Sequence, residues 1–138
     1  MKIELIDFGA GTKGHFPKRA HAFDAGADVF APYKVNVKPN ETAKIPLGFG
    51  VKIPQGFAGY IFPRSSTAKA GVTCHVPPID CGYTGEIHAV LTCHSDYAYL
   101  IEEGDKIGQL VIMPCVIADF VTEMPETRGA NGFGSTGK

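Results

Sequence analysis

"TAKIPLGFGVKIPQGFAGYIFPRSS", residues 42–66, holds three short apolar runs cut by Pro46, Gly48, Pro54 and Gly56. Proline cannot donate to a helical ladder and glycine reverses the chain cheaply, so these runs read as two or three strands joined by tight turns. The same rhythm extends outward. Upstream, "YKVNVKP" alternates Val35 and Val37 with polar neighbours, "KIELI" opens the chain as a strand, and Gly9 to Arg19 forms a basic, glycine-bearing loop. "AHAFDAGADVFA" sets Asp24 and Asp28 around Gly26, where reversal is easy. Downstream, "GVTCHVPPID", "GEIHAVLTCH" and "YAYLIEEGDKIGQLVIMPCVIADFVT" continue the strand pattern. "SSTAKAG", residues 65–71, is the single candidate helix and is too short to stand without tertiary support. The expectation is one all-β barrel or sandwich.

Composition narrows the function classes. A chain of 138 residues fits one domain, and 17 glycines and 10 prolines argue against a helical bundle. The net charge is −1 and the 13 cations are dispersed, which argues against a duplex nucleic-acid binder. No apolar run approaches a membrane span, and "MKIELIDFGAG" has no long apolar segment with a small-residue cleavage site. Cys74, Cys81, Cys93 and Cys115 are spaced by neither a zinc pattern nor a dense disulfide framework. They read as free thiols, most of them in the core, of a protein of the cytoplasm or another reducing intracellular compartment.

Four internal constellations carry chemistry. In "YIFPRSSTAKAG" a strand ends at Pro63, and Arg64, Ser65 and Ser66 stand where backbone N–H groups would open a short helix and hold a phosphate. A serine cap beside a solvated arginine is the structural alternative. In "PPIDCGYTGEI" Asp80 sits at a strand-to-turn junction, with Gly82 and Gly85 allowing reversal and Tyr83 near the same carboxylate. Such a carboxylate can position or deprotonate water, or merely cap the turn. In "DAGAD" Asp28 suits the outer shell of a polyphosphate-bound Mg2+ or an Asx turn. In "EEGDKIGQLVIMP" Gln109 stands inside an apolar strand, where its amide needs partners.

The end of the chain, "TRGANGFGSTGK", has no apolar period and packs as no element of its own. Its glycines, Ser135, Thr136 and the Arg128 fork suit a phosphate, and Phe133 suits stacking on a planar ligand. A frayed tail is the alternative.

In order, "DAGADVFA", "PRSS", "IDCGYTGE", "GDKIGQL" and "RGANGFGSTG" resemble the five signature motifs of the homotrimeric dUTP pyrophosphatases, and they span Asp24 to Gly137. The resemblance implies a single-domain β-clip or distorted jelly-roll barrel over residues 1–127. It also implies a flexible C-terminal arm, 128–138, that closes over a neighbouring subunit's site. It implies a homotrimer with three shared active sites, a Mg2+ cofactor, and hydrolysis of dUTP to dUMP and pyrophosphate. On this resemblance Asp80 activates the water that attacks the α-phosphorus, and Tyr83 stacks under deoxyribose and excludes a 2′-hydroxyl. Arg64, Ser65, Ser66 and Gln109 contact phosphates, with Ser65 near the scissile bridge. Arg128, Gly134, Ser135 and Thr136 clamp the γ-phosphate, Phe133 covers uracil, and Asp28 belongs to the Mg2+ environment.

One segment departs from the family pattern. Between Arg64 and Asp80 the chain is shortened, and Pro77 and Pro78 stand where the family carries other residues before Ile-Asp. Both prolines lack a backbone donor, so base reading falls to main-chain groups around Cys74, His75 and Val76. The expected order still places dUTP ahead of dTTP, dCTP and UTP. Three rival readings remain, one of them a related deoxynucleoside triphosphate pyrophosphatase with altered base preference. A dCTP deaminase, alone or joined to dUTP hydrolysis, resembles the chain in "PRSS", but it places arginine where Lys69 stands and needs a glutamate where Val90 stands. A nucleotide-sensing protein would use the basic loop "GTKGHFPKRAH" as a surface for a regulatory partner.

Overall fold

A computed structural model describes residues 1–124. The expectations placed on Arg128, Phe133, Gly134, Ser135 and Thr136, and the division of the chain after residue 127, lie outside the described residues. Ten strands form: β1 (Glu4–Asp7), β2 (Ala27–Phe30), β3 (Val35–Val37), β4 (Thr42–Pro46), β5 (Phe49–Lys52), β6 (Phe57–Phe62), β7 (Val72–His75), β8 (His88–Cys93), β9 (Tyr99–Ile101) and β10 (Lys106–Pro114). The opening stretch supplies three of them, β4 to β6, with turns at Gly48 and Gly56, both at positive φ. Two short helices complete the fold, α1 (Ala10–Lys13) and α2 (Ser65–Lys69).

All pairings are antiparallel and fall into four small sheets, β1-β5, β2-β10-β6, β3-β9 and β4-β8-β7. The sheets wrap one core in jelly-roll fashion without closing into a continuous barrel among the described residues. Period-two patterning sets the inner face: along β8, Ala89, Leu91 and Cys93 are buried while His88, Val90 and Thr92 point outward. Val29, Ile45, Leu47, Phe49, Leu91, Ile101 and Ile107 are at most 1 % exposed. Each such side chain stabilises the fold by about 1.5–3 kcal/mol through lost apolar hydration.

Three sequence expectations are corrected. The loop from Gly9 holds α1, whose first turn is tied by Asp7 Oδ1 accepting from Gly9 N–H at 2.8 Å and Gly11 N–H at 3.1 Å. Those two bonds hold the Asp7 carboxyl below its ordinary value. Of the four free cysteines, Cys74 and Cys93 are buried, whereas Cys81 and Cys115 are half-buried. Third, the apolar run after β10 is no strand of this chain's sheets. Pro114 ends β10, Cys115 N–H reaches Gly56 C=O at 2.8 Å, and Val116, Ile117, Phe120, Val121 and Met124 follow at 61–97 % exposure.

The basic loop is drawn into the fold in part. Lys13 Nζ donates to Pro32 C=O at 2.7 Å, Lys18 exchanges backbone bonds with Asp28, and Arg19 Nε donates to Asp24 C=O at 2.8 Å.

Candidate active site

The loop between β7 and β8 builds the first cluster. A bridge between Ile79 and Gly59 of β6 pins its ascending limb through N–H···O=C bonds of 2.7 and 3.0 Å, leaving Asp80 exposed just beyond. Gly82 takes φ 82° to turn the chain, and Tyr83 follows. Gly85 serves space, because a Cβ there would collide with the Tyr83 ring. The Tyr83 hydroxyl donates to Glu86 C=O at 3.1 Å, and Glu86 Oε2 accepts from Gly48 N–H at 2.9 Å. Glu86 therefore ties the loop's descending limb to the turn between β4 and β5, a role that sequence reading missed.

Asp80, Tyr83, His75, Pro77 and Pro78 line one pocket of about 350 Å³, whose wall continues through Lys44, His88 and Val90. His75 Nε2 lies 2.7 Å from Thr92 Oγ1, which lies 2.7 Å from Thr42 Oγ1, so a polar string across the sheet fixes the ring. Cys74 faces inward; its Sγ donates to Ile61 C=O at 3.4 Å, and burial pushes its thiol up. Val76, half-buried, is not among the lining residues.

The second cluster stands where β6 runs into α2. Thr67, fully buried, closes the first turn: its Oγ1 donates to Arg64 C=O at 2.7 Å and accepts from Arg64 N–H at 3.2 Å. Arg64, not a serine, is thus the capping position, and Ser65 and Ser66 are exposed in the first turn. Arg64 Nη1 donates to Ser66 Oγ and to Lys106 C=O, each at 3.3 Å. Asp28, with a side chain only 15 % exposed, pairs with Arg64 Nε at 3.5 Å and Lys106 Nζ at 3.0 Å. Lys106 is the member sequence reading passed over; it stands three residues before Gln109 in "GDKIGQL".

Gln109 faces Asp28 across the β2–β10 ladder, and its Nε2 donates to Pro63 C=O at 2.9 Å. Gly26 is needed here for close approach and not for reversal, since a Cβ would run into the Gln109 side chain. Asp28 has both oxygens facing cations, and the described residues contain no group of three His, Cys, Asp or Glu able to hold a metal.

The two clusters stand apart along β6 and β10. Ile112 pairs with Gly59, beside Ile79, whereas the Arg64 guanidinium is bonded to Lys106. Six residue steps along β10 separate those points, roughly 20 Å at strand rise.

The dUTPase family profile matches residues 12–137. The deoxyuridine 5'-triphosphate nucleotidohydrolase of Leifsonia xyli subsp. xyli is 41 % identical over 128 residues, covering 88 % of this chain and 84 % of that one. The protein of the same name from Clostridium novyi is 41 % identical over 141 residues, covering 98 % and 99 %. Among solved structures, the dUTPase of Staphylococcus bacteriophage 80alpha, in a variant with dUpNHpp, superposes with a TM-score of 0.84 at 26 % identity, covering 98 % of both chains.

Proposed function

This chain belongs to the dUTPase family, and from that premise we propose how its two clusters share the hydrolysis of dUTP to dUMP and pyrophosphate. The activity is that of a dUTP diphosphatase. The observation carrying the division of labour is the separation of the clusters: an exposed carboxylate in a nucleoside-sized pocket beside the loop between β7 and β8, and a guanidinium fixed where β6 runs into α2.

Asp80 accepts the proton of a water that attacks the α-phosphorus in line, and the bond from that phosphorus to the α–β bridging oxygen breaks as pyrophosphate leaves. Tyr83, held by Glu86 C=O, lies under the deoxyribose and fills the space of a 2′-hydroxyl. Arg64, Ser65, Ser66 and Gln109 bind the phosphate chain, and Arg128, Ser135, Thr136 and Phe133 cover its distal end and the base. A general base must lie within hydrogen-bond reach of its water, directly or through one more. Asp80 and Arg64 of a single chain belong to separate clusters, and the proposed site pairs the pocket of one copy with the cationic cluster of another.

A homotrimer gives three such sites, and the exposed apolar segment from Val116 to Met124 supports assembly because it lacks cover within this chain's described residues. Mg2+ enters as part of the substrate. Bound to the triphosphate, the ion would neutralise polyphosphate charge. Asp28 fits only its outer shell, because both oxygens already face Arg64 and Lys106.

The deaminase alternative finds no support. Val90 lines the pocket where a proton-shuttling carboxylate would be required, and an isopropyl group carries no proton. The test is pyrophosphate release from dUTP, dTTP, dCTP and UTP, with kcat/KM for each. The expected order is dUTP first, without ammonia release from dCTP. Another nucleotide leading, or no turnover at all, overturns the reading.

A further inference from the structure

The nucleoside pocket poses a problem of donors. A 2,4-dioxopyrimidine edge presents two carbonyl acceptors on either side of one N–H, so a site that reads the whole edge offers two donors around one acceptor. Two of the residues lining the pocket wall, Pro77 and Pro78, have carbonyls but no N–H. Ile79, next in the chain, spends both of its main-chain groups on Gly59. The Tyr83 hydroxyl already donates to Glu86 C=O. The ascending limb is therefore rich in acceptors and poor in donors, and a side-chain donor on the facing wall would add to what main-chain groups around Val76 supply.

On the opposite wall the sheet register puts Lys44 of β4 and His75 of β7 on either side of Val90, as its cross-strand partners on one outward face. His75 is tied through Nε2 to Thr92. The imidazoles of His75 and His88 can each donate or accept, so neither by itself imposes a sign on the base. An ammonium can only donate. Lys44 makes no ion pair among the described residues, unlike Lys13, Lys34, Lys52 and Lys106.

We propose that Lys44 is a specificity-determining residue of this pocket: its ammonium donates to the 4-carbonyl oxygen of the base and selects 2,4-dioxo over 4-amino pyrimidines. This rests on the reading of the pocket as the nucleoside site of dUTP hydrolysis. Discrimination follows from sign. The ammonium meets an acceptor on uracil but would face a donor on the amino edge of cytosine, where two donors oppose each other and the lysine loses its hydration without a partner. The flat apolar face of Val90 between Lys44 and His75 gives the ring a surface to lie against without adding a competing polar group.

The experiment compares wild type, Lys44→Met and Lys44→Arg by kcat/KM for dUTP and dCTP, and by calorimetric affinity for the products dUMP and dCMP. Lys44→Met should lower kcat/KM for dUTP about 10- to 100-fold, mostly through KM, while kcat/KM for dCTP holds or rises. Its dUMP affinity should fall toward that for dCMP. Lys44→Arg, which keeps a donor-only cation, should retain most of the preference. A Lys44→Met protein that keeps the wild-type dUTP-to-dCTP ratio overturns the role of Lys44 and leaves dUTP hydrolysis standing. Wild type that fails to prefer dUTP overturns the pocket reading and this proposal together.

Discussion

The loop between β7 and β8 and the junction of β6 with α2 both carry polar side chains, yet they handle charge in opposite ways. At the junction Asp28 sits between Arg64 and Lys106, Gln109 is tied to Pro63, and Arg64 is bonded to Ser66 and Lys106, so the groups are positioned by one another before any ligand arrives. In the loop the backbone is pinned by Gly59 and Glu86, while Asp80 itself has no ion pair among the described residues and stands exposed. A phosphate-binding cluster gains from preorganisation because its charge acts in the ground and transition states alike. A base for water gains from being uncommitted, because it must take a proton during the reaction.

The strongest test breaks this comparison by placing the two halves on different chains. Asp80→Asn should leave nucleotide binding largely intact and cut kcat about 10²- to 10⁴-fold. Arg64→Ala should chiefly weaken binding of the triphosphate. If the halves of one site come from different copies, unfolding the two variants together and refolding them at equal ratio should restore activity neither shows alone. Random assembly gives about one site in four with both halves intact. Mixed protein no more active than the separate variants would place Asp80 and Arg64 of one chain in one site, against the separation along β10.

The junction was less legible in sequence than the loop, and the reasons are physical. Asp80 and Tyr83 are three residues apart on a single turn, so local reading brings them together, and the pocket does hold both. Lys106 reaches Asp28 only because β10 lies beside β2, a pairing between residues far apart in the chain. Thr67 reads as a polar residue on a short helix, yet it is fully buried, since its hydroxyl serves Arg64 main-chain groups on both sides. Gly26 and Gly85 read as turn residues because composition announces glycine's freedom and not the side chain that passes over it. The strand rhythm, in contrast, was visible throughout, because alternation and Pro or Gly punctuation are local properties. It failed after Pro114, where apolar residues continue but no partner strand from this chain's described residues takes them up.

Preorganisation at the junction can be weakened without touching a charge. Gly26→Ala should push the Gln109 side chain off its bond to Pro63 and cost about 1–3 kcal/mol of stability through overpacking. Denaturant unfolding measures that loss, and KM for dUTP should rise with it. A variant with wild-type stability and KM would mean that the Gln109 side chain relocates freely and that its position carries no weight.

On the loop side the matching change is smaller. Tyr83→Phe keeps the ring and removes one hydrogen bond to Glu86 C=O, worth about 0.5–1.5 kcal/mol. The expected result is a rise of a few-fold in KM for dUTP and a partial gain of UTP turnover as the ring loosens. An unchanged dUTP-to-UTP ratio would show that the ring is held by its packing over Gly85 alone.

The smallest effect lies behind the loop, where its anchor meets the start of the chain. Glu86 accepts from Gly48 N–H, Gly48 C=O accepts from Phe8 and Ala10 N–H, and Asp7 holds Gly9 and Gly11 of the same turn. Because these N–H groups depress the folded-state pKa of Asp7, its stabilisation is fully present above the ordinary carboxylate value near 4. It is lost as pH falls through the depressed one. Asp7→Asn should therefore melt slightly below wild type at pH 7, and the gap should close as pH falls from about 4 through the depressed value, where the wild-type carboxylate takes up its proton. Exposure to solvent keeps the gap small. A gap that persisted unchanged at pH 3 would assign the difference to the shape of the side chain and not to its charge, and would remove Asp7 from any account of how acid loosens the loop.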